Sequence, residues 1–305
     1  MINNLSQQFI KNVKVNNNYR NFKKLQNVIK KTKPNIIFHL AAQPLIYESY
    51  KKPLLTFDIN YRGTLNVMEC VRLSNFVKSV VIVTSDKCYE SNFSSKGFKE
   101  TDILGGVDPY SASKSSTEIM VRAYRESFFK KTNRIAVSTG RAGNVIGGGD
   151  WSPKRLIPDC IKSLKQNKTI FIRNPKFNRP WQLVLEPLKG YLMLALKQYR
   201  EPLKYSGAWN FGTKPNSVTD VKTLVNHIIK FWGSGKMKIK KNNFYEQQNL
   251  QLNIKKAEKY LKWKPTYNIK NSVKMTVDWY FRVLQNKEDP KKVTSDQIDR
   301  YTHDS

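Results

Sequence analysis

Three short apolar runs, separated by two segments of helical length, constrain the fold of this chain more than any other feature. The runs lie at 35–40, 79–84 and 134–139, and they are rich in Ile and Val. Runs of this length and composition are typical of buried strands.

The two segments between the runs, 53–74 and 109–129, have the apolar spacing of helices. Pro53 suits the first turn of one helix, and Asp108 followed by Pro109 suits the N-cap and first residue of the other. Strand, helix, strand, helix, strand at these lengths predicts an α/β fold with a parallel, doubly wound sheet.

The pattern changes after about residue 150, where short helices and strands alternate with long loops. Apolar spacing predicts helices at 188–198, 220–232 and 272–284 and an edge strand at 237–239. We therefore expect two portions: residues 1–150 with the parallel sheet, and residues 151–305 with a smaller α+β arrangement.

Composition excludes several classes of protein. No stretch approaches the roughly 20 apolar residues that span a bilayer, and residues 1–18 lack the apolar core of a secretory signal. The chain has three cysteines, Cys70, Cys88 and Cys160. A small and odd number of cysteines argues against a disulfide framework. We expect a cytoplasmic protein without a membrane partner.

The formal charge of +31 has two interpretations. Basic residues could bind the phosphates of a nucleic acid, or they could cover the surface without a specific partner. Their spread along the whole chain favours the second interpretation, so we predict no nucleic-acid partner. The positive field would still attract a diphosphate substrate.

Tyr110 and Lys114 are the first candidate catalytic pair. Residues four apart on a helix share one face, and an ammonium near a phenol lowers the phenol pKa, which makes the tyrosine a usable base. Tyr–Lys pairs with the same spacing begin at Tyr19, Tyr47 and Tyr260, so the spacing alone is not diagnostic. Tyr110 differs because it opens a helix that follows a buried strand and a long loop.

Polar residues follow the second strand at Thr84–Lys87, where ligands bind in open α/β sheets. An ordinary capped turn is the alternative. The third strand leads into a Gly-rich stretch, but the spacing of Gly140, Gly143 and Gly147 does not match the dinucleotide fingerprint.

Three loop arginines, Arg155, Arg173 and Arg179, are candidates for binding phosphate oxygens, with an ordinary surface position as the alternative for each. The three histidines are isolated, and no group of residues has metal-ligand spacing, so no metal site is predicted. No Ser-His-acid arrangement is recognisable.

Taken together, ordered blocks across residues 33–304 resemble the CDP-glucose 4,6-dehydratases of the extended short-chain dehydrogenase family. The blocks are 39–45 (HLAAQPL), 84–89 (TSDKCY), 104–114 (LGGVDPYSASK), 141–151 (RAGNVIGGGDW), 155–159 (RLIPD), 172–175 (IRNP), 179–182 (RPWQ), 185–188 (LEPL) and 208–212 (AWNFG). The resemblance implies a Rossmann-like NAD-binding domain at 1–150 and a mainly nucleotide-sugar-binding portion at 151–305, some of whose segments return to the first domain.

The resemblance also implies a lyase mechanism, as used in deoxysugar biosynthesis for lipopolysaccharide O-antigen. Tyr110, helped by Lys114, takes the proton of the glucose 4-hydroxyl while C4 gives hydride to NAD, and Thr84 hydrogen-bonds the same oxygen. Water is then eliminated across C5 and C6, with Asp86 as the acid and Lys87 as the base at C5. Hydride returns to C6 and leaves CDP-4-keto-6-deoxyglucose.

By the same resemblance, two further sets of residues surround the ligands, and the chain forms a homodimer through the helices at 60–74 and 110–129. The cofactor-binding set is Leu40, Ala41, Ala42, Asn60, Tyr110 and Lys114. The substrate-binding set is Ser85, Asn144, Arg155, Arg173 and Arg179.

The chain departs from the family pattern near its beginning. The family starts with a strand and a Gly-rich turn that binds the pyrophosphate, whereas the first glycine here is Gly63. We therefore expect the first β-α-β unit to be missing, as in a fragment of a complete enzyme or in a non-catalytic relative that binds sugar nucleotides. A dehydratase or epimerase for another nucleotide sugar is a further alternative. Smaller departures are Tyr47, where the family has Arg, and Leu183, where it has His.

Overall fold

The computed structural model describes residues 18–90, 97–131, 134–214, 217–240 and 251–305. Its N-terminal portion begins with a 3-10 turn and then alternates helices and strands. The elements are α1 (Phe22–Thr32), β1 (Ile36–His39), α2 (Ile46–Lys51), α3 (Pro53–Phe57), α4 (Gly63–Arg72), β2 (Ser79–Val83), α5 (Pro109–Tyr124) and β3 (Ala136–Arg141).

The C-terminal portion has shorter strands and longer connections. Its elements are β4 (Val145–Ile146), α6 (Leu156–Lys165), β5 (Ile170–Ile172), β6 (Asn178–Arg179), β7 (Gln182–Leu183), α7 (Leu185–Arg200), α8 (Pro202–Tyr205), β8 (Gly207–Asn210), β9 (Thr219–Asp220), α9 (Val221–Trp232), β10 (Met237–Ile239), α10 (Ile269–Leu284) and α11 (Pro290–Asp304).

The central sheet consists of β1, β2, β3 and β8 in that order, and all its pairs are parallel. The β8 strand comes from the C-terminal portion and joins β3 at the edge of the sheet opposite to β1. The predicted Rossmann-like parallel sheet with flanking helices is confirmed. The expected loss of a first β-α-β unit concerns the beginning of the chain, where residues 1–17 lie outside the described residues.

Helices cover both faces of this sheet because β2 is apolar on both sides. On one face, Val80 and Ile82 of β2 pack with residues of α1, α4 and α5, among them Leu25, Met68 and Val121. On the other face, Val81 packs in a cluster that includes Tyr191 and Leu194 of α7, Trp209 of β8, and Trp263. Buried strands between two helical layers are what the apolar runs predict.

The helix starts follow the predicted capping residues. The Asp108 carboxylate accepts a hydrogen bond from the Ser111 backbone N–H at 3.0 Å, and Pro109 is the first residue of α5. Pro53 likewise opens α3. These caps place Tyr110 in the first turn of α5, with its side chain only 7% exposed.

Two predicted helices contain a π turn that apolar spacing does not reveal. One, Asp58–Arg62, joins α3 to α4, and the other, Arg125–Phe129, extends α5. The Asn60 carbonyl in the first π turn accepts hydrogen bonds from the hydroxyls of Thr64 (2.6 Å) and Thr117 (3.2 Å). The π turn thus ties the α3–α4 segment to α5.

The C-terminal portion has its own core, built mainly from α6, α9 and α10. The predicted edge strand at 237–239 is confirmed as β10, which pairs in parallel with β5. The predicted helices at 188–198, 220–232 and 272–284 are α7, α9 and α10, each a little longer than predicted or shifted by a residue. Gln297 on α11 donates to the Met275 carbonyl at 2.7 Å and fixes this last helix to α10.

Candidate active site

A group of buried polar side chains lies where β2 and β3 end and α5 begins. The hydroxyl of Ser85 caps a short 3-10 turn at Asp86–Cys88 directly after β2. Tyr110 and Lys114 face this turn from α5, because residues four apart lie on one side of a helix. Tyr110, Ser85, Asp86 and Lys114 are all at most 7% exposed.

The Tyr110 phenol is protonated at neutral pH in this structure. Burial raises its pKa to about 12, while a hydrogen bond with Ser85 and the charge of Arg155 act in the opposite direction. The expectation of a lowered phenol pKa is therefore wrong here. The main reason is burial, and the Lys114 ammonium donates to the Val83 carbonyl at 3.2 Å instead of to the phenol.

Lys114 is itself perturbed by its surroundings. Burial lowers its pKa to about 8, although the carboxylate of Glu118 one turn further along α5 favours the charged form. The ammonium has three N–H donors. Among the described residues only the Val83 carbonyl accepts from it.

The hydroxyl of Thr84 is turned away from Tyr110. It donates to Oε1 of Glu118 at 2.5 Å, while Oε2 accepts from Thr139 at 2.8 Å and from Arg141 at 2.7 Å. Burial alone would raise the pKa of Glu118, but Arg141 and the two hydroxyls outweigh it and hold this pKa below its usual range. The proton of the Thr84 hydroxyl is thus committed to a carboxylate, and Ser85 is the hydroxyl that contacts Tyr110.

Asp86 is a buried carboxyl, 4% exposed, that accepts from the Ser85 hydroxyl at 3.0 Å. Burial raises its pKa, and the charges of Lys87 and Arg179 offset part of that effect. Its carboxylate lies against Gly143, where an added Cβ would fall on the carboxylate atoms. Gly143 therefore provides the space that Asp86 occupies, and a carboxyl with a raised pKa is suited to donate a proton.

The predicted substrate-binding arginines occupy different positions. Arg155 stands near Tyr110 and forms an ion pair with Asp150 at 3.1 Å, and Arg179 is close enough to Asp86 to lower its pKa. Arg173 is exposed after β5 and acts on Asp159 rather than on the Tyr110–Asp86 group. Asn144 adopts a positive φ of 50° and lies beside Asp86 on the loop between β3 and β4.

The predicted cofactor-binding residues follow β1 at the same edge of the sheet. Leu40 and Ala41 are exposed and Ala42 is half-buried. The amide of Asn60 is 2% exposed and bonds to the backbone of Gln43 and to the Ser113 hydroxyl, so it fixes this segment against α5. The exposed segment and the uncommitted donors of Lys114 fit a ligand with ribose hydroxyls, such as the nicotinamide half of NAD.

Glu118, Thr139 and Tyr89 belong to the site's polar network but are absent from the predicted set. Tyr89 accepts from Arg141 at 2.7 Å and donates to Asn210 at 2.7 Å. One signal in the sequence points to Glu118. It lies four residues after Lys114 and eight after Tyr110, so the three side chains line one face of α5. An acidic residue on the buried face of a helix requires a charged or hydrogen-bonding partner.

Comparison with known proteins agrees with this geometry. The family model for GDP-mannose 4,6 dehydratase matches residues 2–276. A CDP-glucose 4,6-dehydratase from Salmonella typhimurium is 40% identical over 267 residues, which cover 86% of this chain and 74% of that protein. The chain belongs to the family of nucleotide-sugar 4,6-dehydratases. The resemblance to CDP-glucose 4,6-dehydratases is thereby confirmed.

Solved structures of the 4,6-dehydratases and related epimerases share the fold. The dTDP-glucose 4,6-dehydratase of Bacillus anthracis in complex with NAD has a TM-score of 0.72 and 24% identity, covering 87% of this chain and 78% of that one. The UDP-glucose 4-epimerase of Thermotoga maritima with UDP-glucose has a TM-score of 0.76 and 20% identity, covering 88% of this chain and 84% of that one.

The described residues offer neither a membrane span nor a metal centre. No helix among them is long and apolar enough to cross a membrane. Within the same residues, no group of three or more His, Cys, Asp or Glu side chains is arranged to hold a metal ion.

Proposed function

We propose that this chain dehydrates CDP-glucose to CDP-4-keto-6-deoxyglucose, with NAD as a recycled cofactor. The observation that carries the proposal is the buried carboxyl of Asp86 beside the Tyr110 phenol. A simple 4-epimerase needs a base at C4, but it has no leaving hydroxyl to protonate. An acid next to the base supports an elimination, and the 40% identical CDP-glucose 4,6-dehydratase supports the cytidine nucleotide.

In the proposed first step, the sugar 4-oxygen lies between Tyr110 and Ser85. Tyr110, ionised to its phenolate, takes the proton of the 4-hydroxyl, and the Ser85 hydroxyl holds the oxygen in place. Ser85 replaces Thr84 in this role because the Thr84 hydroxyl is committed to Glu118. When bound, NAD supplies the hydride acceptor and a positively charged ring, and a cation near a phenol favours its ionised form.

In the proposed elimination, Asp86 donates a proton to the departing 6-hydroxyl, and Lys87 in its neutral amine form takes the proton from C5. Lys87 is half-buried directly after Asp86, and its charge lowers the pKa of that carboxyl. Arg155 and Arg179 would hold the diphosphate, since both lie within electrostatic reach of the Tyr110–Asp86 group. Asn144 would contact the sugar, and Arg173 would reach only the outer part of the nucleotide.

We further propose that residues 1–150 hold NAD and that residues 151–305 mainly hold the nucleotide sugar. Leu40, Ala41 and Ala42 would line the nicotinamide side, Lys114 would bond the ribose hydroxyls, and Asn60 would fix the 40–43 segment. A cytoplasmic setting is supported by Cys70, Cys88 and Cys160, which are free and buried.

The test is to incubate the purified chain and NAD with CDP-glucose, and in parallel with UDP-, dTDP- and GDP-linked hexoses. The expected product is a 4-keto sugar lighter than CDP-glucose by one water, formed faster than from the other nucleotides. The Tyr110→Phe variant is the matched control. A keto product only from another nucleotide would reject the cytidine assignment, and no keto product from any substrate would reject the dehydratase.

A homodimer is proposed through the outer face of the α3–α4 segment and α5. The two helical segments enclose an open apolar groove of about 580 Å³. Its walls include Phe57, Tyr61, Leu65 and Ile119, and Ile119 is 48% exposed. Burying such a groove against a second copy would remove apolar surface from water.

Sedimentation of the Ile119→Lys variant tests the dimer. The variant should sediment as a monomer at concentrations where the unchanged chain is dimeric. Ile298 on α11 has a similar exposure of 45% and lies outside the groove, so Ile298→Lys is the matched control. A dimer that survives Ile119→Lys would place the interface elsewhere.

A further inference from the structure

A small, partly open cavity lies beside Asp86, on the side where Gly143 and Asn144 pass. Its volume is about 10 Å³, measured for the centre of a water-sized sphere. That is the size needed for one water molecule. Gln182, Thr213 and Leu252 also line this cavity.

The amide of Gln182 has a fixed orientation in this wall. Its Nε2 donates to the Phe211 carbonyl at 2.9 Å and to the Gly143 carbonyl at 3.2 Å, so both N–H groups are used. The oxygen Oε1 is therefore the atom left to accept. The side chain is 2% exposed, and none of the described residues donates to this oxygen.

Thr213 provides a second buried polar atom without a partner. Its side chain is 5% exposed, and Oγ1 has no hydrogen bond to any described residue. A buried hydroxyl or amide oxygen without a hydrogen bond costs roughly 1–3 kcal/mol. Two such atoms in the wall of one cavity, next to the Asp86 carboxyl, indicate a polar occupant.

We propose that this cavity is a binding site for one water molecule, held by Gln182 Oε1, Thr213 Oγ1 and the Asp86 carboxyl. Water fits because it can donate to Gln182 and Asp86 and can exchange a hydrogen bond in either direction with Thr213. A water in a polar cavity with two to four partners is a stable part of a protein structure.

The site also suggests where the water released by the reaction goes, and this second step rests on the proposed dehydration. The elimination breaks the C5–H and C6–O bonds and forms a C5–C6 double bond. The C5 proton moves to Lys87, and the Asp86 proton moves to the departing oxygen, so one water is formed at Asp86. Gln182 and Thr213 are then positioning residues whose oxygens offer that water hydrogen bonds as it leaves the sugar.

The direct test is a high-resolution crystal structure of the full chain and of its Thr213→Val variant, which keeps the shape but removes the hydroxyl. We expect a water within hydrogen-bond distance of Gln182 Oε1 and Thr213 Oγ1 in the unchanged chain, and its loss in the variant. A dry cavity in the unchanged chain would overturn the proposal. This readout does not depend on turnover, so it stands apart from the proposed function.

The kinetic test compares CDP-glucose with its 6-deoxy-6-fluoro analogue, from which fluoride leaves instead of water. Thr213→Val should slow the elimination from CDP-glucose roughly three- to tenfold, the usual effect of one hydrogen bond, but should leave the fluoro analogue unaffected. Thr213→Ser should recover most of the rate. An equal loss with both substrates, or no loss with either, would overturn the role of the site in releasing water. An unchanged chain that converts neither substrate would instead reject the dehydratase.

Discussion

Glu118 and Arg141 form an ion pair with a separation of 2.7 Å, and each side chain is only 3% exposed. Arg141 ends β3, and Glu118 lies in the middle of α5, so the pair joins the sheet to the helix that carries Tyr110 and Lys114. The hydroxyls of Thr84 and Thr139 also donate hydrogen bonds to the Glu118 carboxylate. This pair therefore fixes the distance between the end of β3 and the face of α5 that carries Tyr110 and Lys114.

We predict that Glu118→Gln is strongly destabilising because it leaves the Arg141 cation buried without a counter-charge. Breaking one side of a buried pair costs roughly 3–5 kcal/mol, which urea unfolding should show. Glu201→Gln is the matched control, since Glu201 pairs with Lys204 at 2.8 Å on the surface. Loss of that exposed pair should lower the free energy of unfolding by less than about 1 kcal/mol. Equal effects of both substitutions would contradict the structural role of Glu118.

Tyr110→Phe should abolish the oxidation at C4 because it removes the only atom of this side chain that can accept the proton. A lost general base slows a reaction roughly 10²- to 10⁴-fold. Binding of CDP-glucose, measured by calorimetry, should change little. Tyr47→Phe, on the exposed face of α2, should leave turnover near that of the unchanged chain. Full turnover by Tyr110→Phe would reject Tyr110 as the base.

Asp86→Asn should slow the elimination more than the oxidation at C4, because the amide cannot donate a proton to the departing hydroxyl. Reduced cofactor should therefore accumulate during turnover, and its absorbance gives the measurement. Asp102→Asn serves as control, since among the described residues the Asp102 carboxylate accepts only from the Lys99 backbone N–H, at 2.9 Å. If oxidation and elimination slow equally in Asp86→Asn, Asp86 positions the substrate and is not the acid.

His39 should make the fold sensitive to acid. Burial and, to a smaller extent, the Lys114 charge lower its pKa from 6.5 to about 4. The unfolded chain therefore binds a proton at a higher pH than the folded chain does, so stability is present above pH 6.5 and is lost as the pH falls towards 4. A pKa shift of this size at His39 lowers the free energy of unfolding by about 3 kcal/mol when the pH falls below both pKa values.

The measurement for His39 is urea unfolding across that pH range, compared with the His39→Gln variant. Glutamine can still bond to Thr64, which lies 3.0 Å from the His39 ring nitrogen, but it does not titrate. The pH dependence of the variant should be shallower than that of the unchanged chain. Parallel curves for the two proteins would show that other groups cause the acid sensitivity.

The three strands of the N-terminal portion and its helical segments at 53–74 and 109–129 could be predicted because each depends on nearby residues, whereas α1 and α2 were not predicted. The apolar runs became β1, β2 and β3, and Asp108 and Pro109 start α5 as predicted. The π turns could not be predicted in this way, since apolar spacing does not show where one extra residue is held. For the turn at Asp58–Arg62, the contact between Asn60 and α5 sets the position of the extra residue.

The place of the candidate site in the fold could be predicted from the sequence more readily than the directions in which its side chains point. Thr84 and Ser85 are neighbours after a strand, so their side chains point in opposite directions. The sequence does not say which of them faces Tyr110, and the position of Glu118 decides it. The Tyr110 pKa was predicted in the wrong direction because burial, which depends on the whole fold, outweighs a single nearby charge.

The π turn at Asp58–Arg62 also determines which changes of chain length this helix tolerates. A π turn contains one residue more than an α turn, and each residue of a helix advances it by about 100°. Deleting one residue here would turn Asn60 away from Gln43 and Ser113, or turn Val67 and Met68 away from the sheet. Insertions and deletions in this segment should therefore be tolerated less well than substitutions, because they rotate every helical residue that follows.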